Sequence, residues 1–220
     1  MTRATILALL LALVPARAWS QRIPLGVDPA TRGFEQIAVK DGVTVYKHKT
    51  SDIIRLAADA RINAPPEVVG EALLDYRGQI GVIKRLTESR ILAQGKGWLR
   101  VYQRLNLPVI DDRDYTLDVR WWREKEVLVI HFKTTSVGSP GEQKGAVRVP
   151  YHEGSWQLRP LDGGRATQAR FMTTIDMGGL LPKWLARSGS GKEVPKVLAS
   201  VNTMVERRLK PSGRVAWSSK

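Results

Sequence analysis

The stretch Ile53-Ile54-Arg55-Leu56-Ala57-Ala58-Asp59-Ala60-Arg61-Ile62-Asn63-Ala64-Pro65-Pro66-Glu67-Val68-Val69-Gly70-Glu71-Ala72-Leu73 changes its repeat half-way. Over residues 53–62 the apolar side chains Ile54, Leu56, Ala58 and Ala60 take every second position, the period of a strand with one covered face. After Pro65-Pro66 the spacing becomes helical through Val68, Val69, Ala72, Leu73 and Tyr76, with Gly78 as the expected helix end.

On both sides of this switch the period is two. Asp41-Gly42 separates strands at residues 36–40 and 43–49, a turn pair that suits a tight hairpin. Further strands are expected at 89–94, 98–107, 112–122 and 127–135, cut by Gly95-Lys96-Gly97 and Pro108. Three more follow at 147–151, 154–160 and 165–176, the last two joined through Asp162-Gly163-Gly164. The chain then turns helical: Val194, Val197, Leu198, Val201, Met204, Val205 and Leu209 form one stripe that a sheet must cover. Strands, a helix, many strands and a long helix make an α+β plan with one antiparallel sheet.

Residues 1–18 have the layout of an export signal: Arg3, an apolar run from Ala4 to Val14, then Ala16-Arg17-Ala18 before the expected cleavage point at Trp19. The run is shorter than the roughly 20 residues that span a bilayer, and retention as a short anchor stays open. Residues 19–33 read as a polar lead-in, 34–209 as the domain and 210–220 as a basic tail, with a periplasmic or secreted location expected. There are no cysteines, which excludes disulfides and thiolate metal sites. The formal charge of +14 becomes +12 when Arg3 and Arg17 leave with the signal. For an exported, monomeric chain this favours an anionic membrane surface over nucleic acid, or serves solubility alone.

Four segments then carry a likeness. They are Gly42-Val43-Thr44-Val45-Tyr46; Leu107-Pro108-Val109-Ile110-Asp111-Asp112-Arg113-Asp114; Gly154-Ser155-Trp156-Gln157-Leu158-Arg159-Pro160; and Asp176-Met177-Gly178-Gly179-Leu180-Leu181-Pro182-Lys183-Trp184-Leu185. In this order the chain resembles the START lipid-transfer domains of the helix-grip, Bet v 1-like superfamily over about residues 35–209. The resemblance implies a curved antiparallel sheet gripping the last helix around a lipid-sized cavity. Ser188-Gly189-Ser190-Gly191 departs from the family's continuous last helix. Two interior glycines cost about 2 kcal/mol, so a break is expected there with a second start near Pro195.

Strand alternation and this resemblance together give the candidate ligand-binding set. Walls are expected from Leu99, Val101, Tyr115, Trp121, Ile130, Phe132, Trp156 and Phe171, and a lid from Trp184 and Leu185 hinged at Gly178-Gly179. Arg113 alternates with Asp112 and Asp114 onto the inner face, where a charge must be paired or hydrogen-bonded. It is read as a polar anchor for a ligand, helped by Gln103; a buried carboxylate partner or escape to water at a strand end are the structural readings. Asp111, Asp112 and Asp114 lack the spacing of a metal loop and read as a solvated face. His48, His131 and His152 lie on separate strands, and no Gly-x-Ser-x-Gly elbow is present. Neither catalytic residues nor a cofactor are therefore expected. The chain reads as a lipid-binding or lipid-transfer protein, with a cyclase-like enzyme or a pocketless interaction domain as alternatives.

Overall fold

The computed structural model describes residues 23–51, 53–179 and 193–210. Asp41 and Gly42 both adopt positive φ, 52° and 75°, and close β1 (Phe34–Lys40) onto β2 (Val43–His48) with Lys40 facing Val43. Then come β3 (Ile54–Ile62), α1 (Pro66–Leu74), β4 (Leu86–Gly95), β5 (Trp98–Leu105), β6 (Asp112–Glu124) and β7 (Val127–Thr134). The chain closes with β8 (Ala146–Arg148), β9 (Tyr151–Leu161), β10 (Ala166–Asp176) and α2 (Glu193–Leu209).

These strands form one sheet in the order β1-β2-β3-β10-β9-β7-β6-β5-β4. Every pairing along it is antiparallel; β8 alone runs parallel, beside the start of β6. Because β3 joins β10 while β4 is the far edge, α1 is the link that carries the chain from one half of the sheet to the other. It seats closely: a Cβ on Gly70 would lie 2.5 Å from Leu128 Cδ2 of β7.

The sheet's inner face and the stripe of α2 share one core, in which Val194, Leu198, Val201, Met204 and Val205 are buried with Val45, Leu56, Val101, Leu117 and Leu158. Ser200 Oγ of α2 lies 3.2 Å from the Val82 carbonyl, and Arg208 reaches Glu71 at 3.2 Å and Asp75 at 3.3 Å. The basic helix end expected to face a membrane is thus partly committed: Arg208 bridges the two helices, while Arg207 and Lys210 are exposed.

On the outer face lies a second small core of Ile23, Phe34, Ala57 and Met172. The segment expected as a lead-in is tied down there. Gln157 accepts from Leu25 N and donates to the Ile23 carbonyl, and buried Arg170 holds Asp59 through two 2.6 Å bonds while also reaching the carbonyls of Pro24 and Val27.

Three expectations change. The first helix stops at Leu74, because Asp75 Oδ1 accepts from Gly78 N at 3.0 Å and forms a local turn in place of another helical turn. The strand break expected at residues 152–153 lies instead at Val149-Pro150, where proline offers no N–H, so β9 runs unbroken from Tyr151. The aspartates of β6 are not a solvated face. Asp114 is 1% exposed, takes a two-point bond from Arg148 and accepts from Tyr102, while Asp112 takes Arg104 and Asn106.

Candidate functional site

Between the concave face of the sheet and α2 lies a cavity of about 430 Å³. Its walls come from alternate residues of six strands and from one stripe of α2, as the two periods require. Ile130, Phe132, Trp156 and Phe171 line the sheet side; Val194, Val197, Val201 and Met204 line the helix side. The Trp156 and Phe171 rings stand 4.6 Å apart, and Phe132 and Phe171 are stacked at 6.5 Å.

Gly154 helps keep the space open. A Cβ at this position would meet Phe132 Cζ at 2.4 Å and the Met172 carbonyl at 2.3 Å. The missing side chain lets the Phe132 ring lie across β9 rather than rise into the cavity. We expect Gly154→Ala to lower stability by 1–3 kcal/mol, about the cost of overpacking a filled site, and to weaken ligand uptake. Thermal melting and probe titration of that variant check both.

The wall carries a few polar groups. Gln103 Nε2 donates to Gln79 Oε1 at 3.0 Å and to Ser89 Oγ at 3.1 Å, and the Tyr115 hydroxyl donates to Gln103 Oε1 at 3.2 Å. Gln79 Nε2 in turn donates to the Leu73 carbonyl. His152 Nε2 meets Thr173 Oγ1 at 3.1 Å, and its ring stands edge-on to Tyr115 and Phe132. Burial lowers the His152 imidazole to about 4, so it is neutral near pH 7. Burial likewise pushes the Tyr76 and Tyr115 phenols well above their ordinary value. Among the described residues Lys84 and Arg85 are the charged residues on the wall, with Lys84 exposed at the opening.

Of the candidate residues, Gln103, Tyr115, Ile130, Phe132, Trp156 and Phe171 meet on this wall. Leu99 and Val101 are buried in the adjoining filled core, and Trp121 packs partly buried against it; none of the three reaches the cavity. α1 is seated through Gly70 against Leu128 and Leu158 of the same core. Trp184 and Leu185 lie outside the described residues, as do the signal segment, Ser188–Gly191 and Arg214.

Arg113 is also off the wall. It is 1% exposed and makes no ion pair with a carboxylate among the described residues. Its Nε donates to the Met177 carbonyl at 2.8 Å, Nη1 to the carbonyls of Asp111 at 2.6 Å and Asp112 at 3.2 Å, and Nη2 to that of Gly178 at 3.3 Å. The guanidinium is a clasp between the start of β6 and the end of β10. Gly178-Gly179, read as a hinge, is held by it: Gly178 has φ 63°, and a Cβ there would stand 2.9 Å from Pro150 Cδ.

Tyr76, Gln79, His152 and Thr173 belong to the wall and were not among the candidates. His152 was open to discovery, since 152, 154 and 156 share one face of an unbroken strand. Tyr76 reads as part of the apolar stripe of the first helix and not as a site residue, while Gln79 sits in the irregular segment after α1, where no period marks a face.

The sequence pattern of one family, polyketide cyclase / dehydrase and lipid transport, matches residues 62–202. An uncharacterised protein of Pseudomonas aeruginosa is 28% identical over 180 residues, covering 77% of this chain and 85% of the relative. Among solved structures, a STAR-related lipid transfer protein from Xanthomonas axonopodis matches with a TM-score of 0.72 at 18% identity, covering 79% of this chain and 99% of that one. The human StAR-related lipid transfer protein 5 gives 0.72 at 15%, covering 82% and 89%. An aromatase/cyclase from Streptomyces sp. R1128 gives 0.53 at 18%, covering 73% and 98%. At these identities the likeness is one of fold, the START-like helix grip.

Proposed function

This chain belongs to the polyketide cyclase / dehydrase and lipid transport family, and from that footing we propose that it is an exported protein that binds and carries a lipid or similar apolar molecule between its sheet and α2. The observation that carries the reading is the cavity of about 430 Å³, lined chiefly by aliphatic and aromatic side chains. A pocket of that size falls within the roughly 300–1,000 Å³ of ligand sites, and each methylene moved into it from water contributes about 0.8 kcal/mol. Carriage needs only burial and release.

The electrostatics of the wall favour carriage over catalysis. A proton-transferring group works best with a pKa near the working pH. His152 lies well below that range and both phenols lie well above it. A domain with a filled interior, the third alternative, is at odds with the open cavity. Export rests on residues 1–18, and a single-chain state is part of the proposal.

Displacement of a fluorescent fatty-acyl probe tests the reading. Saturable one-to-one binding is expected, and Val197→Trp, which intrudes from α2 into the cavity, should weaken it at least tenfold with the fold retained. Unchanged affinity in that variant places the probe elsewhere and contradicts the proposal; turnover of an aromatic polyketide mimic favours the enzyme alternative. Docking to anionic vesicles through Arg207 and Lys210 should fade as salt rises, each cation near a charged bilayer contributing about 1 kcal/mol. Equal binding to neutral vesicles contradicts that part.

A further inference from the structure

The Tyr76 hydroxyl on the cavity wall has no protein partner among the described residues. Tyr76 follows α1, lines the cavity and is 7% exposed, yet its hydroxyl makes no hydrogen bond among the described residues. A buried phenol normally finds one, because its hydroxyl otherwise loses the hydrogen bond it makes to water in the unfolded chain. Its neighbour Tyr115, 6% exposed, has given its proton to Gln103, which leaves the Tyr115 oxygen free to accept. Gln103 is itself fixed by Gln79 and Ser89, so Tyr115 cannot turn without breaking a buried chain of bonds. Beside them His152 Nδ1 is buried and also without a partner.

The surroundings set the kind of group that fits. Tyr76 offers a donor and Tyr115 an acceptor, so a hydroxyl can complete both at once and a carbonyl can complete the first. Neither phenol ionises near neutral pH, since burial raises both and the neighbouring Tyr115 raises Tyr76 further. The charged residues of the wall, Lys84 and Arg85, follow Tyr76 in the same segment between α1 and β4, with Lys84 exposed, and neither bears on the charge of either phenol. A carboxylate or phosphate placed between the phenols would find no cation there among the described residues. Apart from these groups the wall is chiefly apolar, and a cavity of about 430 Å³ is worth roughly fourteen water-sized units at about 30 Å³ each. That suits one chain or a compact ring system.

We propose that the ligand is a single apolar chain or ring system bearing one uncharged oxygen, a hydroxyl or a carbonyl, which docks between Tyr76 and Tyr115. This deepens the ligand-carrying reading and rests on it. The oxygen sets the ligand's register in the cavity and separates it from hydrocarbons of equal size.

The test uses two probes of matched length, dodecan-1-ol and tridecane, each displacing the same fluorescent acyl probe from wild type, Tyr76→Phe and Tyr115→Phe. Tyr76→Phe is expected to weaken dodecan-1-ol by roughly three- to tenfold, the yield of one neutral hydrogen bond, and to leave tridecane unchanged. Because the hydroxyl has no protein partner, Tyr76→Phe should also keep or raise the melting temperature. Tyr115→Phe should lower it through the lost bond to Gln103, which shows that the assay resolves a real pairing. Equal effects on both probes, or no effect on either, overturn the inference and leave the carrier reading standing. A clear fall in the melting temperature of Tyr76→Phe shows a native protein partner and overturns it too. If neither probe binds wild type, the carrier reading falls and takes this inference with it.

Discussion

Arg113→Leu is expected to lower stability by about 3–5 kcal/mol while leaving ligand affinity in the folded protein within about twofold of wild type. The guanidinium is buried and makes four bonds to main-chain carbonyls, those of Asp111, Asp112, Met177 and Gly178. Leucine fills the volume and bonds to none of them. A carbonyl left unpaired away from water costs about 1–3 kcal/mol, and because Asp111 is exposed and Asp112, Met177 and Gly178 are half-buried, water repairs part of the loss and brings the sum into the stated range. The loss also frees Gly178 and Gly179 at the end of β10, whose positive φ values of 63° and 61° are held partly by these bonds. For a domain of this size the melting temperature should fall by about 10 °C. A small change in stability together with a large loss of affinity would instead show the guanidinium in contact with the ligand.

Acidification supplies the second large effect. The His152 imidazole falls from an ordinary 6.5 to about 4 through burial. Between those values the unfolded chain binds a proton that the folded chain refuses, so stability drops as the pH falls through this window. The full contribution is about 3 kcal/mol, of which about 2 kcal/mol should appear between pH 7 and pH 4.5. His152→Phe preserves the edge-on contacts with Tyr115 and Phe132 and removes the titration, so its stability should be flatter over that range.

Below pH 4.5 a second group takes over in both proteins. Burial alone would raise the Glu153 carboxyl, but bonds from His131 and Tyr151 and the charge of Lys133 outweigh it and bring it to about 2. The depressed carboxyl contributes stability above its unfolded value and loses it as the pH falls toward 2. Urea titrations of both proteins at pH 7, 4.5 and 3 separate the two groups. Equal slopes between pH 7 and 4.5 would show that His152 is not the group refusing the proton.

Much of the architecture was legible because two periods and a few turn residues determine it. Asp41-Gly42 marks a hairpin whose left-handed pair needs little else, and the alternation in β3, β6 and β10 put the correct residues on the concave face. The stripe of α2 named its covered residues from Val194 to Val205, whereas Leu209, expected on the same stripe, is 55% exposed at the helix end. What stayed hidden has a common cause. Arg113 bonds to carbonyls, which leave no trace in side-chain identity, so alternation showed that it points inward and not what it meets. β8 pairs parallel to β6 over three residues, too short a span for any period to register. His152 was missed because a break was set inside β9, and with it went the face shared with Trp156. The helical spacing turned Tyr76 inward without showing that it meets a cavity, and Gln79 reaches the same wall from an irregular segment after the Asp75 turn, where the fold alone decides direction.

The central claim is that the space between sheet and helix holds an apolar molecule in the working protein. Native mass spectrometry of the chain isolated from its own cells without detergent, followed by organic extraction of the same sample, addresses this directly. One bound amphiphile per chain is expected, released on unfolding and absent from Val197→Trp prepared in parallel. A wild-type chain that carries no ligand from its own cells and takes up none from extracted lipid would contradict the account.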